Sequence, residues 1–354
     1  MKTLNRYIGM EIIKGSAVSI VILLSIYNFV TFGDELDDLG KGNYGLKQIF
    51  QYLALTSPRN FYELMPSAAL IGTLFTLGSM ANYRELLAMR ISGASMFQLI
   101  RAVLRAGLVL VITAILIGEF IAPDSERSAQ LLKATAQKKQ LALETKYGFW
   151  LRNGNTFINV RNLGAGEKLG NIGIYEFDNS HRLTQAIHAG KANFKKGKWH
   201  ITDLKRTRFN EGEITAETLA DSTWDSLFDP ELTNILVVKA ENLSIVGLFK
   251  YIYFLKQNNQ QSDEFQLALW SRLINPLVTL VMLLVALPFV FRWDRVMNTS
   301  QRMVIGVLIG LGFNLFDRTF SHIALVYGLN PVFSAFFPAF LFLTGAIVAI
   351  RKYC

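Results

Sequence analysis

Tyr83-Arg84-Glu85-Leu86-Leu87-Ala88-Met89-Arg90-Ile91-Ser92-Gly93-Ala94-Ser95-Met96-Phe97-Gln98 is a short polar and basic interruption between two long apolar runs. It has room for about three helical turns. On such a helix Leu86, Leu87 and Met89 share an apolar flank, with Arg84, Glu85 and Arg90 on the polar side. Ser92-Gly93 then supplies the stop that a short helix needs. A few polar residues of any kind would suffice to join two membrane spans; this stretch reads as a helix built to touch something.

The runs on either side, 61–81 and 102–122, belong to a set of six, with 13–32, 273–291, 303–322 and 332–350. Each is near the roughly 20 residues needed to cross ~30 Å of hydrocarbon. With 51% hydrophobic residues and a mean hydropathy of +0.29 over 354 residues, the chain reads as an integral membrane protein. The net charge of +9 invites a nucleic-acid reading, but the basic residues sit at alternate ends of the runs, so no nucleic-acid partner is expected. They cluster as Lys2, Arg6 and Lys14; Arg84, Arg90, Arg101 and Arg105; Arg292, Arg295 and Arg302; and Arg351 and Lys352. The positive-inside rule then predicts six spans with both termini cytoplasmic. The first run is too long for a cleaved signal peptide and lacks a small-x-small site, so it reads as an uncleaved anchor. Residues 1–12 read as a surface helix with Tyr7 and Ile8 among the headgroups, and the lone Cys354 is expected to face the reducing cytoplasm.

After the first span an acidic loop, 34–38, leads to an amphipathic interfacial segment at 49–55. Glu63 and Pro66 predict an irregular outer end for the second span, and Pro123 closes the third, with Glu119 just inside. From Asp124 the character changes: 125–143 reads as a helical stalk, followed by short alternating strands at 149–151, 157–160, 172–177, 186–194, 199–204, 207–210 and 213–218. Many short strands separated by turn signals favour a β-sandwich or jelly roll. Residues 243–257 return to helix, and 265–272 lead back into the membrane. The expected fold is a six-span α-helical membrane protein with an inserted periplasmic β-jelly-roll-like domain. Its divisions are 1–123 (spans one to three, with a cytoplasmic helix at about 83–96), 124–265 (the β domain and its stalks) and 266–354 (spans four to six).

No catalytic constellation emerges: there is no phosphate-binding loop, no Gly-x-Ser-x-Gly and no His-Glu-x-x-His. His181, His188 and His200 share the β domain, but exposed strand residues are a plainer reading than a metal site. No cofactor, metal or enzymatic activity is expected. Ionisable groups in or beside the hydrocarbon are costly and call for a partner or a cavity. Asp317 and Arg318, toward the outer end of the fifth span, are either a structural pair or a polar wall lining a passage. Arg127, Lys133, Lys138 and Lys139 on the stalk, and Arg272 beside Trp270, either snorkel to the headgroups or form a ring of cations for a phosphorylated lipid.

Several short motifs occur in order along the chain: Arg6-Tyr7-Ile8-Gly9, Glu85-Leu86-x-x-Met89-Arg90-x-Ser92-Gly93, Gly118-Glu119 with Ala122-Pro123, and Leu243-Ser244-Ile245-x-Gly247-Leu248. Trp270-Ser271-Arg272-Leu273-x-x-Pro276-Leu277 and Val326-Tyr327-Gly328-Leu329-x-Pro331 follow. With them the chain resembles, over nearly its full length, the LptF/LptG family of permeases of the bacterial lipopolysaccharide exporter, nearer its LptG branch. The resemblance implies a Gram-negative inner-membrane protein that extracts lipopolysaccharide and passes it to a periplasmic bridge. It implies a second, LptF-like permease, an LptB-like cytoplasmic ATPase dimer and a single-span, LptC-like periplasmic jelly-roll protein. It makes 83–96 the coupling helix, with Glu85 its central contact and Arg84, Leu86, Met89 and Arg90 around it. Lys133 takes the place of a basic residue near the lipid A phosphates. Phe29 and Phe32 on the first span, and Gly310 and Phe316 on the fifth, fall where the family has its lateral gates. Thr31, Asp37 and Asp38 stand where some relatives carry basic residues. A membrane scaffold that recruits periplasmic partners through its β domain is the competing reading, but it has no need of an ATPase-docking helix.

Overall fold

The computed structural model of the chain describes residues 2–137, 141–142, 149–164, 168–178, 180–195, 198–210, 213–224, 240–258, 260–291 and 299–353. Lys138, Lys139, Arg292, Arg295, Cys354 and the expected turns at 165–166, 179, 196–197 and 211–212 lie outside the described residues. The helices before the sheet are α1 (Lys2–Leu36), α2 (Leu46–Asn82), α3 (Glu85–Ile91), α4 (Met96–Leu116), a π-helical turn (Ile117–Ile121) and α5 (Ala122–Ala136). After the sheet come a 3-10 turn (Ala240–Asn242), α6 (Ile245–Gln257), α7 (Asp263–Phe291), α8 (Thr299–Val326) and α9 (Pro331–Tyr353). Among the described residues six stretches are long and apolar enough to cross a membrane: Leu4–Leu36, Leu46–Asn82, Met96–Ala136, Asp263–Phe291, Ser300–Val326 and Pro331–Lys352.

The helices run further than the apolar blocks predict. The 37 residues of α2 span about 55 Å, so the expected interfacial segment at 49–55 is part of the same helix. Pro58 and Pro66 lie inside it without ending it. At Pro123, by contrast, the third span slackens into a π turn in which the Ala122 N–H reaches back to the Ile117 carbonyl. Proline lacks an N–H, and its ring crowds the carbonyl four residues earlier. A wider turn relieves that clash while the helix continues. α1 likewise starts at Lys2, and Ile8 is not among headgroups but fully buried with Ile12 in the bundle core.

That core is built around α2: Leu70, Leu74 and Leu77 pack with Ala102, Val103 and Ala106 of α4, Met282, Leu283 and Leu287 of α7, and Phe313 of α8. α1 and α8 turn long apolar faces outward, among them Val18, Val21, Ile22 and Phe29, and Val304, Leu308, Leu311 and Leu315. α1 approaches α2 so closely at Gly15 that a Cβ there would stand 2.8 Å from the Gly72 carbonyl oxygen. Only small residues permit such a crossing.

The strands are β1 (Leu141–Ala142), β2 (Phe149–Asn153), β3 (Thr156–Gly164), β4 (Lys168–Phe177), β5 (Leu183–Lys195), β6 (Lys198–Asn210) and β7 (Glu213–Trp224). β3 to β7 form one antiparallel meander, and β1 and β2 share the outer edge of β3. The two short strands expected at 199–204 and 207–210 are one, β6, kinked at Asp203, whose φ is 58°. Val160, Ile172, Ala189 and Leu204 stand opposite one another along the register and are buried, as period-two alternation requires. Their face packs on Leu248, Tyr251, Ile252 and Leu255 of α6 and on Ala268 and Leu269 of α7. Among the described residues the β domain is thus a single sheet covered by a helix, and the crossovers of a closed jelly roll are not among them.

Candidate functional site

The α2–α4 connection lies at the end of the bundle away from the sheet. Arg84, in the left-handed region at φ 61°, turns the chain into α3. Gly93 ends the turn at φ +94°, and Ser95 caps α4 by accepting from the Gln98 N–H. The Glu85 carboxylate Oε2 accepts a hydrogen bond of 3.0 Å from the Tyr7 hydroxyl. The expected apolar flank is split. Leu86 is only 3% exposed and, with Met89 against it, belongs to the bundle core. Leu87 faces out, beside Tyr83 at 78% and Ile91 at 79% exposed. Leu87 and Ile91, four apart on α3, keep the helical spacing, the signal that could have found them, whereas Tyr83 precedes the left-handed turn at Arg84. Arg84, just before α3, and Arg90, in its last turn, are both exposed.

Arg302, one of the expected cytoplasmic cations, is instead buried: it donates to the Gly78 carbonyl at 2.9 Å and to Asn82 Oδ1 at 3.4 Å. It thus ties α8 to a carbonyl and a side-chain amide near the C-terminal end of α2, where a basic side chain is well placed.

At the opposite end Lys133 on α5 reaches Glu35 at 2.7 Å and Asp38 at 3.0 Å. Tyr44 donates to the other Glu35 oxygen at 2.8 Å, and the lysine nitrogen lies 5.3 Å from the Tyr52 ring centre. Glu35 is 6% exposed, and Lys133 and Tyr44 each satisfy one of its two buried oxygens. Hydrogen bonds from Lys41 and Lys133 hold the Asp38 carboxyl well below the usual carboxylate range. Burial and the neighbouring Glu35 push the Tyr44 hydroxyl well up. Lys133, expected as a bare cation, is therefore enclosed by carboxylates. Arg127 is half-buried and forms no ion pair among the described residues.

Arg318 does not pair with Asp317. Neighbours on a helix point about 100° apart, and Arg318 instead reaches Glu63 at 3.4 Å, which also meets Arg59 at 3.3 Å. Arg59 continues to Glu126 at 3.4 Å, so α8, α2 and α5 are joined by alternating charges. Asp317 is half-buried with no ion pair among the described residues.

Arg272 corrects the expectation of an exposed rim cation, being 8% exposed. Its Nε lies 3.2 Å from Glu119 Oε2, and its other nitrogens donate to the carbonyls of Gly118 and, at 3.3 Å, Glu241. Glu119 Oε1 accepts from the Ile245 N–H at 2.7 Å, at the start of α6. The Tyr62 ring lies 5.4 Å from the guanidinium carbon, and the Tyr62 hydroxyl donates to the Arg272 carbonyl at 2.7 Å. The cause is the π turn, which frees the Gly118 carbonyl and carries Glu119 toward α7.

The gate candidates are not brought together. Phe29 points outward from α1, and Phe32 stacks on Phe50 with centroids 5.5 Å apart. Gly310 abuts Ser67, to which Asn314 donates at 3.0 Å. Phe316 joins Phe320 and Phe337 at 6.0 and 6.4 Å.

Residues 6–352 match the family described as lipopolysaccharide export system permease LptF/LptG. The chain is similar to lipopolysaccharide export system permease protein LptG of Escherichia coli K12, 32% identical over 353 residues, covering 99% of this chain and 98% of that protein. It is also similar to the Haemophilus influenzae protein of that name, 31% identical over 345 residues, covering 97% and 96% respectively. With six membrane helices, an inserted antiparallel sheet and this match from end to end, the chain belongs to the LptF/LptG family of lipopolysaccharide export permeases.

Proposed function

We propose that this chain is the membrane subunit through which lipopolysaccharide leaves the inner membrane of a Gram-negative bacterium for a periplasmic bridge. Both termini lie in the cytoplasm. Its energy comes from an LptB-like ATPase dimer, since the sequence holds no phosphate-binding loop. An LptF-like permease closes the lipid cavity against the outward apolar faces of α1 and α8: Phe29 stands on that surface, while Phe32, Gly310 and Phe316 lie on the same two helices, half-buried or buried. An LptC-like jelly-roll protein receives the lipid beside the sheet. The Lys133 cluster, with Arg127, is the rim that meets the lipid phosphates; Arg272 belongs to the internal junction instead.

The observation that carries this reading is α3: a helix outside the spans, anchored inward by Leu86 and Met89, with Glu85 half-buried and Tyr83, Arg84, Leu87, Arg90 and Ile91 turned out. A loop helix with an inward anchor and an outward apolar and charged face is suited to a partner's groove. Replacing Glu85 by Lys sets a like charge against a basic groove, which costs more than loss of the contact. In the exporter reconstituted with its ATPase in proteoliposomes, Glu85→Ala is expected to lower lipopolysaccharide release and Glu85→Lys to abolish it, at normal protein levels. Full release by Glu85→Lys would overturn the docking reading.

A further inference from the structure

Glu85 is tied to α1 before any partner arrives. Its Oε2 accepts from the Tyr7 hydroxyl, whereas Oε1 takes no hydrogen bond among the described residues. A carboxylate can accept from several donors at once, so the Tyr7 bond orients Glu85 without occupying it. Tyr7 is itself well placed: the next residue, Ile8, and Ile12 one turn on are fully buried in the core that also holds Leu86. Within that same turn the Glu11 carbonyl accepts from Thr76 of α2 at 3.2 Å, one turn before the close crossing of Gly15 over Gly72. From there α1 runs without a proline to Glu35, which holds Lys133. One continuous helix thus carries the Glu85 contact at one end and the rim cluster at the other, with a tight crossing between them.

We propose that Tyr7 is the positioning residue of the docking helix. Its hydroxyl sets the Glu85 carboxylate toward the partner and fastens α3 to α1, so a displacement of α3 is passed along α1 to Glu35 and Lys133. This rests on the reading of α3 as the ATPase contact. It differs in placing the transmission on a side chain of α1, the exposed Tyr7, rather than on α3 itself. A tyrosine–carboxylate bond is charge-assisted, and its loss is felt as one such bond rather than as a lost core.

The test uses the exporter purified with its second permease and ATPase, in proteoliposomes, reading lipopolysaccharide released per ATP hydrolysed. Tyr7→Phe keeps the ring and removes only the donor. We expect the ratio to fall roughly three- to tenfold, on the scale of one such bond, with unchanged protein level and thermal midpoint. In a Glu85→Ala background Tyr7→Phe should change nothing further, and Tyr7→His, which keeps a ring donor, should recover part of the ratio. A wild-type ratio for Tyr7→Phe beside an impaired Glu85→Ala overturns this inference and leaves the docking reading intact. Wild-type ratios for both variants overturn the docking reading. Equal losses from Tyr7→Phe in both backgrounds mean that Tyr7 does not act through Glu85, which also overturns the inference.

Discussion

Lys133 and Arg272 show how one residue type comes to opposite uses. Both are cations just beyond the hydrocarbon, yet Arg272 spends its donors on Glu119 and two carbonyls, whereas Lys133 faces two carboxylates near the surface. A lipid phosphate that binds Lys133 must therefore compete with Glu35 and Asp38. Asp38 also yields a pH prediction. Its carboxyl is held below the usual range by Lys41 and Lys133, so it stabilises the fold fully above the ordinary carboxylate value of about 4 and loses that contribution as pH falls further. Asp38→Asn is expected to lower stability by about 1 kcal/mol at pH 7, as befits a partly exposed pair, and to flatten the acid-side decline. Thermal unfolding in detergent between pH 3 and 8 checks both. An unchanged midpoint at pH 7 would show that Lys133 is held by Glu35 alone.

Among the elements, the π turn has the widest consequences. It lies where α4 meets α5, presents the Gly118 carbonyl and Glu119 to Arg272, and lets Glu119 cap the start of α6 beneath the sheet. Pro123 is the local cause of the widening. In an ordinary helix Pro→Ala stabilises, because alanine restores the missing bond and helix propensity. Here the restored N–H would draw the turn into an α-helix and rotate Glu119 by about 100°, leaving Arg272 buried without its carboxylate. Pro123→Ala is therefore expected to destabilise the protein, by about 2–4 kcal/mol for a broken buried pair. A lower thermal midpoint and faster proteolysis between bundle and sheet would report it; a raised midpoint would refute it. The helix α3 makes the complementary case: it is short, and its position comes from Leu86 in the bundle rather than from its own propensity.

For the whole molecule, the bundle, the sheet and α6 are tied where α7 leaves the membrane, so the sheet rests on the spans rather than hanging from a linker. The orientation we propose, with both termini cytoplasmic, rests on the basic ends of the apolar runs. Cys354, the single cysteine, gives a direct check. A membrane-impermeant maleimide added to intact spheroplasts should leave it unlabelled and should label it after permeabilisation. Labelling of intact spheroplasts would reverse the assignment of both termini.

Sequence alone determined the six spans, the inserted strands, the interrupting helix at Glu85 and, through ordered motifs, the family. All of these are local: a run of apolar side chains, a two-residue alternation or a short motif is legible without knowing what lies next to it. Tertiary structure alone decided which partner each cation meets and which cations are spent inside. Lys133 meets Glu35 across 98 positions, Arg272 meets Glu119 across 153, Arg302 meets Gly78 across 224, and Arg318 meets Glu63 across 255. The physical reason is the cost of an unpaired charge or polar group away from water. Folding meets that cost with whichever partner the packing of helices brings near, and no local pattern in the chain records which one that is.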